Sequence, residues 1–208
     1  MLDCLFVIVS DCLDMLRTRS LITVGLGMEE LSKMNKNSSS IIVSNHKNSI
    51  YTGMASAYED VMSKFDSDLY VFLHDDIGGE WGDFFKYAYD LDYGVVGIIG
   101  KNPKDNKIYW GNHLTFPLEV QTVDECCFAF RKKSGLKFDP ITCNHWHQYA
   151  PDVCLLSKSK GLNNYIVPTK LQHKGGRLGI GYDFKNFMDQ FNRLNEKWIG
   201  KFQKIVRT

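Results

Sequence analysis

Residues 69–76, with the sequence Leu-Tyr-Val-Phe-Leu-His-Asp-Asp, decide the fold. The first five form an uninterrupted apolar run, which is typical of a strand buried on both faces of a parallel sheet. The last three, His74, Asp75 and Asp76, are polar and follow the run directly. The stretch therefore predicts a buried strand that carries polar side chains to the carboxyl-terminal edge of a sheet.

Two earlier segments repeat this pattern of an apolar run with a polar end. Residues 5–9 form a β-rich apolar run that ends in Ser10-Asp11, and residues 40–45 form a second run that ends in Ser44-Asn45. Apolar residues at helical spacing follow each run, first over residues 13–34 and then over 49–65. Three alternations of strand and helix within the first 80 residues predict an α/β fold.

The rest of the chain continues the alternation. In order, the patterns predict a helix over 81–90, a strand over 94–100, a loop or short hairpin over 101–116, a strand over 120–131, a helix over 151–160, a strand over 165–168 and an amphipathic helix over 184–205. No internal repeat and no linker rich in Pro, Gly or Ser divides the sequence, so one domain is expected.

The composition excludes several classes of protein. The 208 residues include 44% apolar side chains, which is typical of a folded chain and not of a disordered one. The 25 Lys and Arg residues balance 24 Asp and Glu residues, for a net charge of +1. Because non-specific binding to phosphate backbones needs an excess of positive charge, no nucleic-acid partner is expected.

The six cysteines are interpreted as reduced residues of a cytoplasmic protein. No charged and apolar leader with a cleavage site opens the sequence, and no Cys-x-x-Cys pair indicates a zinc or thioredoxin-like site. The neighbouring Cys126 and Cys127 lie in an apolar stretch and are expected in the core. No apolar run approaches the roughly 20 residues of a transmembrane helix, so no membrane span is expected.

The residues after the third predicted strand are the first candidates for chemistry. Asp75 and Asp76 are costly to bury side by side unless a cation faces them. A divalent metal ion that also binds a diphosphate fits these hard oxygen ligands, and Mg²⁺ and Mn²⁺ are the usual choices. The alternative is that one aspartate caps the helix that follows Gly78-Gly79.

Two later residues are candidates for the same chemistry. Asp152 lies near a predicted helix start, where it serves either as a general base for a hydroxyl group or as a structural cap. His173 precedes the basic, glycine-rich loop 174–177, which suits a metal ligand beside a diphosphate, although a surface loop is the alternative. Neither of the glycine-rich fingerprints for dinucleotides or for P-loops is present.

Taken in order, these segments resemble the GT-A fold glycosyltransferases of the family-2 type. Residues 70–76 resemble a variant of the family's DxD motif, and residues 94–97 and 120–124 match strands of its acceptor half. The block Trp146-His147-Gln148-Tyr149, with Asp152 after it, is similar to the family's W-H-x-Y-x-x-D segment. The resemblance spans roughly residues 4–177.

The resemblance implies a three-layer α/β/α sandwich with a mostly parallel central sheet. It also implies a single domain over residues 1–208, with a nucleotide-sugar half over about 1–100 and an acceptor half over about 101–182. The C-terminal helix, over 183–206, closes the domain.

The implied activity is a metal-dependent, inverting transfer of a sugar from a nucleotide-diphospho-sugar to a hydroxyl group of a glycan-like acceptor. Asp76 and His173 are then ligands of Mn²⁺ or Mg²⁺, and Asp152 is the base. The implied donor-binding residues are Ser10, Asp11, Ser44, Asn45, Asp75, Lys174 and Arg177. The implied acceptor-binding residues are Trp146, His147, Tyr149, Asp124 and Trp81.

Two departures from the family pattern affect the choice of nucleotide. His74 replaces the acidic first position of the DxD motif, and Ser44-Asn45 stands where many relatives have an acidic residue that recognises uracil. A UDP-sugar is the expected donor, with GDP- or dTDP-sugars as alternatives. Two other functions stay open, namely a sugar-1-phosphate nucleotidyltransferase and a non-catalytic module that binds a carbohydrate or nucleotide.

Overall fold

The computed structural model describes residues 2–10, 18–44, 50–173 and 184–206. Within them lie twelve strands, numbered in chain order: β1 Leu2–Ser10, β2 Ser38–Ser44, β3 Ser67–Leu73, β4 Ile77–Gly78, β5 Val95–Gly97, β6 Ile99–Lys101, β7 Ile108–Trp110, β8 Leu118–Val120, β9 Thr122–Val123, β10 Cys127–Arg131, β11 Asn164–Ile166 and β12 Gln172–His173. The same residues include five α-helices: α1 Thr18–Lys33, α2 Met54–Lys64, α3 Phe84–Asp90, α4 Tyr149–Ser159 and α5 Phe184–Trp198.

The main sheet has seven strands in the order β2-β1-β3-β10-β5-β11-β8. β1 pairs in parallel with both β2 and β3, and β11 pairs in parallel with β5. β10 is antiparallel to β3 and β5, and β8 is antiparallel to β11. Five of the seven strands therefore run in one direction, which confirms the mostly parallel sheet.

Each face of this sheet is covered by a helical layer. Along β1, Leu5, Val7 and Val9 point into one core, which α2 and α4 close. The alternate residues Phe6 and Ile8 point into a second core, which α1 and α3 close. Because a strand covered on both faces excludes polar side chains, the continuous apolar runs of the sequence mark the central strands. The three-layer α/β/α sandwich is confirmed.

The predicted strand over residues 94–100 is two strands in different sheets. β5 belongs to the main sheet, whereas β6 lies in a small sheet of order β7-β6-β9. The chain turns between them at Ile98, whose amide donates to the Cys127 oxygen at 3.3 Å. The Ile98 oxygen accepts a bond from the Gly111 amide at 2.7 Å. The local apolar pattern does not reveal these long-range partners, so it predicts one continuous strand.

The predicted strand over 120–131 is likewise divided, into β8, β9 and β10. Each pairs with a different neighbour, namely β11, β6 and β3, respectively. A turn separates β9 from β10, and in it the Cys126 amide donates to the Asp124 carboxylate at 2.9 Å. The division places Asp124 in the turn between β9 and β10 instead of inside a strand.

The C-terminal helix is shorter than predicted. α5 ends at Trp198, and Gly200 has a φ of +83°, a left-handed conformation that is common where helices stop. Leu194 and Trp198 pack against Leu155 of α4, so α5 lies outside the α2–α4 layer. None of the helices in the described part of the chain combines the length and the apolar character that a membrane crossing requires.

The cysteines that the structure describes are core residues. Cys4, Cys126, Cys127, Cys143 and Cys154 are all buried thiols. Burial raises the pKa of the Cys126 thiol well above its ordinary value, so this side chain is protonated and unsuited to act as a nucleophile. The prediction that Cys126 and Cys127 belong to the core is confirmed.

Candidate active site

The polar ends of the parallel strands meet at one edge of the sheet. Ser10 at the end of β1 is paired in register with Ser44 at the end of β2. The Ser10 hydroxyl donates to Asp75 Oδ2 at 3.1 Å, and Asp75 lies directly beyond β3. Parallel strands with common register bring their carboxyl ends together, as the sequence predicts.

A short ribbon brings two distant parts of the sequence together beside Asp76. β12 pairs antiparallel with β4, with His173 opposite Ile77. As a result, His173 Nε2 lies 3.1 Å from Asp76 Oδ1. The two side chains are 27% and 14% exposed, respectively, so this pair is accessible at the sheet edge. Asp76 and His173, which the sequence predicts as metal ligands, are therefore neighbours.

His74 is the third member of this group, and the sequence does not predict it as a ligand. The ligand atoms of His74, Asp76 and His173 all lie within 4.8 Å of one another. The imidazole rings of His74 and His173 meet edge to face, with centroids 5.6 Å apart. Burial lowers the pKa of His74, and the opposing effect of Asp124 does not overcome it, so the ring is neutral at neutral pH. Neutral imidazole and carboxylate oxygen fit a divalent transition-metal ion.

Asp124 and Cys126 are also close to His173. Their ligand atoms form a second group with His173, again within 4.8 Å of one another. The raised pKa of Cys126 favours the thiol, whereas a metal ligand must be the thiolate. Asp124, predicted to bind the acceptor, thus lies beside the candidate metal ligands.

Glu125 is a residue that the sequence analysis missed. Its Oε1 accepts a bond from the Tyr149 amide at 3.0 Å, at the first turn of α4. Its Oε2 lies 3.7 Å from His147 Nδ1. Burial raises the pKa of the Glu125 carboxyl, and His147 opposes the shift. Because a carboxylate at a helix start is stabilised by the exposed amides and the helix dipole, Glu125 serves as the cap of α4.

Asp152 lies one turn into α4, beneath α5. It is 1% exposed. Trp198 Nε1 donates to Oδ1 at 2.7 Å and Lys197 Nζ donates to Oδ2 at 2.8 Å. Burial raises the pKa of the Asp152 carboxyl, and Lys197 and Trp198 oppose this shift. Both oxygens of the predicted base are therefore bonded to α5.

The structure corrects two of the predicted acceptor contacts. Trp81 is completely buried in the α1–α3 core, where its indole donates to the Thr23 oxygen at 2.8 Å. Tyr149 is 1% exposed, and its hydroxyl lies 2.9 Å from His74 Nε2. Neither ring offers a face to a sugar. Trp146 and His147 remain partly buried, and the His147 ring lies 5.4 Å from that of Phe187.

Several predicted donor-binding residues fall outside the described part of the chain. These are Asp11, Asn45, Lys174 and Arg177. Ser44 is described as the last residue of β2, in register with Ser10. The geometry described at the sheet edge is therefore that of Ser10, Asp75 and the candidate metal-ligand group.

Gly79 directly follows β4, which pairs with β12 and so positions His173. Replacement of Gly79 by Ala should displace β12. Its φ of +123° is unfavourable for other residues, and an added Cβ would lie 2.3 Å from the Lys170 oxygen. We expect Gly79→Ala to cost about 1–3 kcal/mol and to weaken metal binding by displacing β12. Thermal unfolding and metal titration measure the two effects. Gly25→Ala is the control, because a Cβ there meets nothing within 4 Å; equal behaviour of the two variants would contradict this role.

The protein is similar to known proteins in structure but not detectably in sequence. No protein-family model matches the sequence, and no curated protein is similar to it. A structure of S. aureus TarS in complex with UDP-GlcNAc matches with a TM-score of 0.57 at 9% identity, over 96% of this chain and 67% of that one. A structure of a Drosophila β-1,4-galactosyltransferase 7 mutant with manganese, UDP-Gal and xylobiose matches with a TM-score of 0.55 at 13% identity, over 89% and 79% of the two chains.

A third solved structure is more weakly similar. It is the inositol-1-phosphate CTP transferase from T. maritima, with a TM-score of 0.47 at 13% identity over 94% of this chain and 97% of that one. The first two matches show that the chain shares the GT-A-like fold of these two structures. At such low identities the likeness extends to the fold and not to the activity.

Proposed function

We propose that the protein is a metal-dependent, inverting glycosyltransferase. It transfers a sugar from a nucleotide-diphospho-sugar, with UDP-sugars as the expected donors, to a hydroxyl group of a glycan or similar acceptor. The proposal rests above all on the grouping of His74, Asp76 and His173 at the carboxyl end of β3. The fold supports it, because it is shared with structures that hold UDP-sugars.

Asp76 and His173 are the proposed metal ligands, and Mn²⁺ is the expected ion, with Mg²⁺ as the alternative. Their ligand atoms are 3.1 Å apart, so one cation can replace the direct contact between them. When bound, a divalent ion supplies the positive charge that a departing diphosphate requires. Asp76 holds the negative charge of this site at the sheet edge, beside the strand ends that are proposed to bind the donor.

The donor is proposed to lie across the ends of β1, β2 and β3. The bond from Ser10 to Asp75 fixes the Asp75 carboxylate, which is suited to accept bonds from sugar or ribose hydroxyls. Ser44 ends the neighbouring strand in register with Ser10. The proposed donor-binding set is completed by Asp11, Asn45, Lys174 and Arg177.

Asp152 remains the proposed base, and Trp146, His147 and Asp124 the proposed acceptor-binding residues. A base works best when its pKa is close to the pH of the reaction, and burial raises the pKa of Asp152 in that direction. Its oxygens are bonded to Lys197 and Trp198. Action as a base therefore requires Asp152 to exchange one of these bonds for the acceptor hydroxyl.

Nucleotide titrations test the proposed function. Calorimetry with UDP, GDP and dTDP should show UDP binding in the presence of Mn²⁺, weakened by EDTA by at least about tenfold, or 1.4 kcal/mol. Uridine is the matched control, because it lacks the diphosphate and its binding should ignore EDTA. No nucleotide binding, or UDP binding that ignores EDTA, would overturn the proposal. Release of pyrophosphate from a sugar-1-phosphate and a nucleoside triphosphate would indicate a nucleotidyltransferase instead.

A further inference from the structure

His74 occupies a position that a metal ligand requires. It directly follows β3, and its backbone amide donates to the Cys126 oxygen at 2.9 Å, which extends the pairing of β3 with β10. The ligand atoms of His74, Asp76 and His173 lie within 4.8 Å of one another, so a single ion can reach all three after small side-chain movements. Two of the three groups are imidazoles, in contrast to an all-carboxylate site.

The surroundings of the His74 ring orient it for this role. Its Nε2 lies 2.9 Å from the Tyr149 hydroxyl. That hydroxyl has a separate acceptor for its own hydrogen, the Glu125 backbone oxygen at 3.4 Å. The Tyr149 oxygen can then accept the Nε2 hydrogen of His74, which leaves the lone pair on Nδ1 for a metal. A hydrogen bond from the second ring nitrogen is the usual partner of a metal-bound histidine.

Tyr149 is itself held rigidly. Its side chain is buried against the Tyr58 ring, with centroids 5.6 Å apart, and its amide is bonded to Glu125 Oε1. A fixed hydroxyl group fixes the plane of the imidazole that donates to it. The contact with Tyr149 therefore fixes the orientation of the His74 ring, and Tyr149 acts as a positioning residue.

We propose that His74 is the third protein ligand of the metal site, which makes it a set of two histidines and one carboxylate supported by Tyr149. Such a set favours first-row transition-metal ions over Mg²⁺, because imidazole nitrogen suits Mn²⁺ less than Co²⁺ or Zn²⁺ but suits all three better than Mg²⁺. With one anionic ligand instead of two, more of the charge of a divalent ion stays available to a diphosphate. This inference deepens the proposed function, on which its link to the nucleotide rests.

Pulsed electron paramagnetic resonance on the full chain loaded with Cu²⁺ counts the bound imidazoles directly. We expect two in the wild type and one in His74→Ala. Titration with Co²⁺ and Zn²⁺ should show affinity lower by about 10–100-fold in Tyr149→Phe, which keeps the ring and removes the hydroxyl, and at least as large a loss in His74→Ala. His113→Ala is the control, since His113 is exposed and belongs to neither candidate ligand group.

The outcomes separate this inference from the proposed function. One imidazole in the wild type, or an unchanged count in His74→Ala, would overturn the ligand role of His74, even if UDP binding depends on the metal. Two imidazoles without any nucleotide binding would support the ligand role and contradict the glycosyltransferase. If His74→Ala does not fold, His74→Gln keeps a polar side chain there, and the imidazole count is taken on that variant, where one imidazole is expected and two would overturn the role of His74.

Discussion

Replacing Asp76 by Asn should abolish metal-dependent nucleotide binding and lower sugar transfer by about a thousandfold. Asp76 is the carboxylate of the candidate metal group, and its Oδ1 lies 3.1 Å from His173 Nε2. Asn has nearly the same shape but no charge, so it removes the anionic ligand and keeps the packing. Metal ions contribute several kcal/mol to the stabilisation of a departing anion, and each 1.4 kcal/mol changes the rate about tenfold.

The stability of the metal-free protein should respond differently to Asp76→Asn. Asp75 and Asp76 are adjacent carboxylates at the same sheet edge, and without an ion they repel each other. We therefore expect the melting temperature of the metal-free variant to equal or exceed that of the wild type. Added Mn²⁺ should raise the melting temperature of the wild type and leave that of the variant unchanged. An ion that binds only to the folded state stabilises that state.

Asp68→Asn is the matched control for this prediction. Asp68 lies on the same strand, β3, with an exposed side chain at the opposite end from the candidate site. It should retain both metal-dependent binding and transfer. Retention of UDP binding and its EDTA sensitivity in Asp76→Asn would remove Asp76 from the site, whereas a large loss of stability would mean that its role is structural.

The three long parallel strands could be predicted from the sequence because each carries a local apolar run, although β2 lies at the edge of the sheet and only β1 and β3 lie inside it. β1, β2 and β3 begin and end within three residues of the predicted segments over 5–9, 40–45 and 69–73. A strand in the middle of a parallel sheet is covered on both faces, so its apolar run is continuous and ends where the strand ends. The polar residues after each run could be placed at one edge for the same reason.

The shorter strands could not be predicted in this way. β5, β6, β8 and β9 have only two or three residues each, and their limits are set by which strand they meet rather than by their own composition. The C-terminal helix was predicted to reach residue 206 because Phe202 and Ile205 continue its helical spacing. They still pack on the α5 core, but after Gly200 they do so without helical backbone.

The sequence singled out Asp76 and His173, which the structure places side by side, but not His74 or the residues that contact it. Asp76 and His173 follow polar patterns that can be read locally, although the two-residue ribbon that joins them is too short to be recognised. The contact between His74 and Tyr149 and the cap by Glu125 link residues far apart in the sequence. Trp81 was predicted to bind the acceptor because aromatic faces suit sugar rings, yet its neighbours in α1 and α3 enclose it.

Replacing Asp152 by Asn should reduce both stability and transfer, for separable reasons. The carboxylate accepts bonds from Lys197 and Trp198 in a buried setting. An Asn keeps an acceptor for Trp198 but turns an amide donor towards the Lys197 ammonium group. Breaking one side of a buried ion pair costs about 3–5 kcal/mol, and the lower value is expected because Asp139 also accepts a bond from Lys197, at 2.8 Å.

The effect of Asp152→Asn on transfer follows from its proposed action as a base. Loss of a positioned base lowers turnover by about 10²–10⁴-fold, and the nucleotide, which does not depend on this group, should bind as before. Burial raises the pKa of Asp152 above its ordinary value of 3.8. As the pH is lowered, the wild-type rate should therefore begin to fall at a higher pH than it would if an ordinary carboxylate were the base. Calorimetry, turnover and the pH profile measure the three effects.

Trp198→Phe separates the base from its structural setting. This variant removes one donor to Asp152 and keeps the carboxylate and most of the α5 packing, so a loss of about 1.5–3 kcal/mol is expected. It frees one Asp152 oxygen, so turnover measured below the melting temperature should be retained or raised. If Trp198→Phe lowers turnover as much as Asp152→Asn does, the base role of Asp152 is contradicted. The carboxylate is still present in Trp198→Phe, so an equal loss would mean that Asp152 acts through packing.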